Sequence, residues 1–337
     1  MSFLRPLLVL AVVAAAVFVS IHFTAEHEGK IFTTLYMHLM PAPLVEPSPE
    51  AEHGAPAAED GAEAPRHETA PNAAPEHGHA AKPLFRLPLP AALGAFDMDR
   101  GSHDGPHLVF TNLQVFQITA VLLIFVCFSG VPRYLRTGKG DALSRLFGGT
   151  AQWIRDEMVF PVMGKESGQK LLPMFLAIFF FILFMNVLGL VPGAATATAN
   201  VFVTGGLAAI TFATMVIGGM VVQGPIAFWK HLVPHVPAAL WPLMFAVEFV
   251  GLLVKPIALM IRLFANMTGG HLAVLSLMGL VFFFGAMSPT VGWASSPVAV
   301  GLAVFIMIIE SFVALLQAYI FTTLSIIFVQ ASLHPEH

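Results

Sequence analysis

The chain has 337 residues, of which 57% are hydrophobic and only 11% are charged, whereas soluble domains carry about a quarter charged residues. Together with a mean hydropathy of +0.79, this composition predicts an all-α polytopic membrane protein. The formal net charge of -4 provides no basic surplus for neutralising phosphates, so nucleic acid is not expected as a partner. The single cysteine, Cys127, has no second thiol in the sequence with which to form a disulfide or a thiolate metal site.

Two segments precede the main apolar region. Residues 1–23 combine Arg5 with a run of about 15 apolar residues, which is typical of a signal sequence or of an N-terminal anchor helix; we slightly favour a cleaved signal. Residues 24–110 form an extracytoplasmic Pro/Ala/His-rich extension that we expect to be largely disordered, since residues 41–82 hold eight prolines and eight acids without a hydrophobic period. We interpret four histidines there as solvated: His53, His67, His77 and His79.

About five transmembrane helices are predicted after residue 110, because about 20 apolar residues span a hydrocarbon core about 30 Å thick. The connection after the first helix holds seven Lys or Arg residues between 133 and 170, which predicts a cytoplasmic position. Because successive helices cross in alternate directions, the C-terminal tail, residues 334–337, is predicted in the cytoplasm. The predicted membrane domain comprises residues 111–333. The predicted spans are 111–130, 172–192, 199–222, 239–285 and 298–330.

The basic connection interleaves charged with apolar residues, which predicts an amphipathic helix lying in the membrane interface. A soluble connecting helix is the alternative. The apolar residues concerned are Leu143, Leu146, Phe147, Trp153, Ile154 and Val159.

The last two apolar stretches are too long for simple crossings, since as helices they would measure about 70 Å and about 50 Å. They must tilt strongly or break. Proline and paired glycines are natural kink positions, which marks Pro256 and Gly269–Gly270, and residues 286–297 read as the turn. The sequence therefore predicts a long tilted helical hairpin.

Few charged residues follow position 172, and several lie inside the predicted hairpin. A charged side chain at the bilayer centre costs about 2.5–3.5 kcal/mol on insertion scales, which makes it a functional candidate. Arg262 is the strongest, because long apolar stretches flank it and guanidinium keeps its proton; snorkelling to the interface is the alternative. The full set is Lys230, Glu248, Lys255, Arg262, Glu310 and Glu336.

Antiparallel helices of equal rise keep the sum of facing residue numbers nearly constant. This register predicts His271 level with Glu310 and Arg262 level with Gln317. His271 lies nine residues from Arg262, which turns the two about 180° apart and separates them by about 13 Å along the axis. A histidine beside a glutamate suits proton relay near neutral pH, and a static salt bridge is the alternative.

Several ordered motifs suggest a family. Residues 260–271 read MIRLFANMTGGH, residues 185–193 read MNVLGLVPG, residues 255–256 read KP, and residues 310–328 read ESFVALLQAYIFTTLSIIF. Over about 110–333 the sequence resembles subunit a of F-type ATP synthases.

The resemblance implies a non-catalytic, proton-translocating stator subunit of the F0 sector in a bacterial cell (inner) membrane. Two offset half-channels would meet a rotating c-subunit ring, with subunit b of the peripheral stalk and, indirectly, the F1 head as further partners and protons as the coupling ion. Arg262 would face the ring carboxylate, and no cofactor is implied. The remaining proton-path residues that the resemblance implies are Asn266, His271, Glu310, Gln317 and Glu248, with Lys255, Asn200 and Tyr319 as further lining candidates.

Two departures from the family pattern are visible. Some relatives carry the acid and the histidine in the opposite arrangement to His271 and Glu310. Relatives often have an acid at the start of the 199–222 helix, where Asn200 is the nearest polar residue here. We keep the pair's role and expect a less acidic inlet.

Two other functions compete with this one. Intramembrane charges and broken helices also mark secondary ion transporters, although no pair of similar halves is apparent. The second is an intramembrane metalloenzyme, since His231 and His235 have the spacing of zinc ligands on a helix. Pro234 and Pro237 argue against that helix. The sequence has no HExxH, GxSxG or Walker A motif, so we predict no catalytic residue and no metal site.

Overall fold

The structure is a computed structural model that describes residues 4–23, 86–88, 107–109, 111–191, 196–233, 236–237 and 240–334. Two short strands, β1 (Arg86–Pro88) and β2 (His107–Val109), pair antiparallel with Leu87 opposite Leu108. Residues 41–82, with the four histidines, lie outside the described residues, so the expected disorder there stays a prediction.

Apart from these strands, the described ranges are helical. A π-helical turn, Ile154–Val159, joins the fourth helix to the fifth, and one 3-10 turn, Ala197–Ala199, precedes the sixth. The α-helices are α1 Leu4–Phe23, α2 Asn112–Phe128, α3 Val131–Thr137, α4 Ala142–Trp153, α5 Phe160–Gly189, α6 Val201–Gln223, α7 Pro225–His231, α8 Trp241–Met287 and α9 Pro289–Leu333.

Within the described residues, 5 helical stretches are long and apolar enough to cross a membrane. The predicted polytopic all-α fold is confirmed, with its five spans in the predicted order. The second span begins well before the predicted residue 172, because the π-helical turn carries α4 into α5 without a loop. A left-handed Gly164 (φ 72°) lets α5 change direction near its start.

The chain turns inside the predicted range 286–297, but the turn is much shorter than predicted. Only Ser288, in an extended conformation (φ -159°, ψ 129°), separates α8 from α9. Pro289 stands in the first turn of α9, where its missing N–H costs nothing. The turn can be this tight because Gly292 lies against Gly285: a Cβ at Gly292 would fall 2.6 Å from the Gly285 Cα.

The predicted kink positions do not interrupt α8, which runs for 47 residues through Pro256 and Gly269–Gly270. At 1.5 Å per residue it measures about 70 Å, more than twice the hydrocarbon thickness. Tilt is therefore the remaining way for the hairpin to fit a membrane.

The centre of the fold is the long helix α9, which packs against α8, α5 and α6. On α8, Leu259, Leu263 and Met267 recur every four residues and are at most 1% exposed, so they form the stripe that faces the core. Ala314 and Ala318 on α9 are fully buried, and small residues let membrane helices approach closely. Because this stripe fixes the rotation of α8, the neighbouring Arg262 lies on an exposed flank.

The amphipathic helix expected in the basic connection corresponds to α4. Its Ser144 and Gly148 are buried against the bundle while Leu146 is exposed. Phe147 packs 5.6 Å, centroid to centroid, from the ring of Phe180 on α5. A position in the membrane interface stays a prediction.

Candidate functional site

The hairpin brings His271 on α8 next to Glu310 on α9, as the register predicts. His271 Nε2 lies 3.6 Å from Glu310 Oε1, and the glutamate side chain is only 5% exposed. Gly270 makes this approach possible, because a Cβ there would fall 2.5 Å from the Glu310 carboxyl carbon. The 3.6 Å separation is too long for a direct hydrogen bond, and it is within ion-pair distance when the imidazole is protonated.

Thr196 completes this group and was not predicted from the sequence. Its Oγ1 lies 2.8 Å from His271 Nε2 and 3.5 Å from the Gly189 carbonyl oxygen. Thr196 precedes the 3-10 turn before α6, so it reaches the hairpin from outside. We call Thr196, His271 and Glu310 the histidine cluster.

A second polar bridge lies between the histidine cluster and Arg262. Asn266 Nδ2 donates to Gln317 Oε1 at 2.9 Å. Gln317 is 1% exposed, and its Nε2 has no protein partner within the described residues. The register predicted Gln317 level with Arg262. Its bonding partner is instead Asn266, one turn further along α8.

Arg262 itself projects from the hairpin. Its side chain is exposed, and in the described part of the chain no hydrogen bond or ion pair involves it. Exposed apolar side chains surround it along the helix, including Ile261, Ile257 and Val254. The guanidinium is therefore a permanent charge on an apolar surface, without a counter-ion from its own chain.

On the other side of Arg262, α6, α7, α8 and α9 enclose a cavity of about 210 Å³. Glu248 and Lys255 line it, both half-buried, with the exposed His231 at the end of α7. Lys255 Nζ lies 5.9 Å from the Phe328 ring centroid, close enough for a cation–π contact. We call this space the α7 cavity.

Backbone and amide contacts hold the rim of the α7 cavity. Gln223 Nε2 donates to the Ser332 carbonyl oxygen at 2.8 Å, and its Oε1 lies 3.2 Å from His231 Nδ1. The proposed zinc pairing of His231 needs His235, which lies outside the described residues. Among the described residues, no group of three or more His, Cys, Asp or Glu could hold a metal ion.

The two remaining lining candidates have structural partners. Asn200 caps α6, since its Oδ1 accepts from the Phe202 N–H at 2.9 Å. Tyr319 is 38% exposed, and its ring lies 5.9 Å from that of Trp153. A channel role for either residue stays a prediction.

These features define a multi-pass membrane protein with ionisable groups placed inside its helical membrane domain. Comparison with known proteins gives the family: the model described as ATP synthase A chain matches residues 114–330, and the chain belongs to this family.

Relatives agree with the family match. The chain is 45% identical to ATP synthase subunit a of Myxococcus xanthus over 55% of its own length and 59% of the relative's. It is 37% identical to the Anaeromyxobacter sp. (strain Fw109-5) protein of the same name, over 75% and 58%. For the Chloroherpeton thalassium protein of that name the identity is 36%, over 73% and 70%. The chain thus spans less than two thirds of the length of the first two relatives.

Proposed function

We propose that this chain is the proton-translocating stator subunit of the F0 sector of an ATP synthase, itself non-catalytic. The carrying observation is Arg262, a permanent charge exposed on an apolar face without a counter-ion from its own chain. Such a charge is costly in a membrane, and a carboxylate on a neighbouring subunit would compensate it. We assign this carboxylate to the ring of c subunits.

In this proposal the histidine cluster forms part of an inlet. Its imidazole and carboxylate can each take up and release a proton, and its hydroxyl can donate and accept hydrogen bonds. Glu310 Oε1 and the fully buried Thr198 Oγ1 have no hydrogen-bond partner among the described residues. Buried polar atoms of this kind are normally satisfied by water, which supports an aqueous path reaching this side of the hairpin.

The α7 cavity would form the outlet. Glu248 supplies an acceptor there, and the volume is sufficient for several water molecules. On an ideal helix Glu248 lies about 21 Å from Arg262, and His271 lies about 13 Å away in the opposite direction. The basic α3–α4 connection lies on the same side as the α7 cavity in the predicted topology, which makes that side cytoplasmic.

Arg262 would separate the two paths. Its charge favours the ionised form of a ring carboxylate and repels a proton moving straight from inlet to outlet. A proton taken up near the histidine cluster would then leave only after the ring has carried it round. Subunit b and the F1 head would complete the complex, where the ATP chemistry takes place.

The test is Arg262→Ala in the assembled complex, with Lys230→Ala as the control that removes an exposed charge outside both paths. We expect Arg262→Ala to abolish ATP-driven acidification of inverted membrane vesicles, while released F1 hydrolyses ATP normally and Lys230→Ala pumps normally. Normal pumping by Arg262→Ala would contradict the proposal. Purification without a c ring or an F1 head would instead favour a secondary ion transporter.

A further inference from the structure

We infer that Thr196 is a positioning residue of the inlet, which holds the His271 ring against Glu310 and serves both protonation states of that ring. This inference rests on the proposed function. Thr196 comes from outside the helical hairpin and is 3% exposed. Its hydroxyl lies closer to His271 Nε2 (2.8 Å) than Glu310 Oε1 does (3.6 Å).

The hydroxyl has the chemistry for this task, because it can donate one hydrogen bond and accept others. While it donates to the Gly189 carbonyl oxygen, its lone pairs can accept from a protonated Nε2. After the proton leaves, the hydroxyl can rotate and donate to the bare nitrogen. His271 thus keeps a partner before and after transfer to Glu310, whereas a side chain of the same shape without the oxygen would give it none.

Two glycines leave space for the partners of the His271 ring. A Cβ at Gly189 would fall 3.0 Å from Thr196 Cγ2, and one at Gly270 would fall 2.5 Å from the Glu310 carboxyl carbon. A larger residue at either position would displace the partner beside it. The present positions of Thr196 and Glu310 therefore depend on both glycines.

The Thr196 hydroxyl is not needed for the local backbone. The 3-10 turn is closed by the Thr196 carbonyl oxygen, which accepts from the Ala199 N–H at 3.0 Å. The start of α6 is capped by Asn200. Replacing the hydroxyl by a methyl group should leave both features intact while it removes the contacts with His271 Nε2 and the Gly189 carbonyl oxygen.

The experiment compares Thr196→Val, which keeps the shape, with Thr196→Ser, which keeps the hydroxyl, in assembled complexes. Thr204→Val is the control, since the Thr204 hydroxyl is fully buried and, within the described part of the chain, bonds the carbonyl oxygens of Asn200 and Val201. Proton conductance of F0 is measured per assembled complex. Loss of one neutral hydrogen bond predicts a roughly three- to tenfold reduction for Thr196→Val, with Thr196→Ser and Thr204→Val within twofold of the parent.

Equal conductance of Thr196→Val and Thr204→Val would overturn the inference, as would failure of serine to preserve conductance. Glu310→Gln is measured in parallel. If Glu310→Gln blocks conductance while Thr196→Val does not, only the role of Thr196 fails. If Glu310→Gln conducts normally, the proposed inlet fails.

A separate observation concerns α1. The structure assigns α1 as a retained membrane helix that packs on α2, with Arg5 in a polar socket at the start of α4. Arg5 Nη1 donates to Ser144 Oγ at 2.9 Å and lies 3.4 Å from Asp141 Oδ2. Gly130 leaves space for this contact, because a Cβ there would collide with the Arg5 guanidinium and with Ser144 Oγ.

The rest of α1 fits the same position. Its 20 residues span about 30 Å, the thickness of the hydrocarbon core. Ala16 is 4% exposed and shares an apolar cluster with Phe116 and Ala120 of α2. The socket lies at the basic connection, so Arg5 marks the cytoplasmic end of α1. A signal sequence that is removed makes no contact with the mature domain, so a specific site for Arg5 in that domain favours retention of α1.

Mass spectrometry of the purified complex tests this assignment: we expect peptides from residues 4–23, and a mature chain that starts after residue 23 would overturn it. Gly130→Ala and Gly149→Ala form a matched pair, because a Cβ at Gly149 meets no atom within 4 Å. We expect Gly130→Ala to lower the amount of assembled subunit severalfold and Gly149→Ala to leave it unchanged. Equal amounts from both variants would contradict docking at the socket.

Discussion

The histidine cluster and the α7 cavity are both built on α8, yet they are packed in opposite ways. In the histidine cluster Thr196 packs against Gly189 and Glu310 against Gly270, and Glu310 is 5% exposed. In the α7 cavity, Glu248 and Lys255 are half-buried around about 210 Å³ of space. Close packing makes function depend on individual atoms, whereas an open cavity lets water replace a lost side chain. The two regions should therefore respond differently to substitution.

The largest effect is expected from exchanging the members of the buried pair. His271→Glu leaves two acids in the pair, and Glu310→His leaves two imidazoles. We therefore expect each to lower ATP-driven pumping roughly a hundredfold. The double exchange restores one acid and one imidazole and should regain at least about tenfold, since residues in contact couple. Vesicle acidification measures all three, and equal damage in the singles and the double would argue against direct pairing.

An intermediate effect is expected from Gly270→Ala, which adds only a methyl group. The new Cβ would fall 2.5 Å from the Glu310 carboxyl carbon, so the carboxylate must move away from His271. We expect pumping to fall about tenfold, in line with the cost of displacing a positioned reacting group. Gly269→Ala, at the neighbouring position on the same helix, is the control, because a Cβ there meets no atom within 4 Å; similar results for the two would contradict the packing argument.

The smallest effect is expected from Glu248→Gln. Water in the α7 cavity can accept the proton in its place, so we expect pumping to fall only about two- to threefold. Stopped-flow acidification of inverted vesicles resolves a difference of this size. A loss as large as that of the single exchanges in the histidine cluster would remove the distinction between the two regions.

The sequence predicted the parts of the site that follow from regular helices. His271 and Glu310 could be paired by number because both lie on one antiparallel hairpin. Thr196 could not, because it comes from a turn 75 residues from His271, and no periodicity relates a turn to a distant helix. Residues 196–200 read TATAN, and Thr196 was a polar residue available there. The acid expected at the start of α6 pointed to Asn200 instead, whose side chain caps that helix.

The length of the hairpin turn was mispredicted for a similar reason. The predicted range 286–297 contains Pro289 and Pro297, yet a proline in the first turn of a helix is favourable, and Pro297 is accommodated within α9. The close contact of Gly285 with Gly292 is a tertiary feature that two glycines alone do not reveal. Tertiary packing decided both the length of the turn and the continuity of α8.

A turn of one residue also sets the phase between two long helices. One extra residue at Ser288 would advance every position of α9 by about 1.5 Å and rotate it by about 100°. Glu310 and Gln317 would then both leave their partners on α8, although each lies more than 20 residues along the chain from the insertion. The length of this turn is therefore as much a determinant of the proposed ion path as the side chains that would line it.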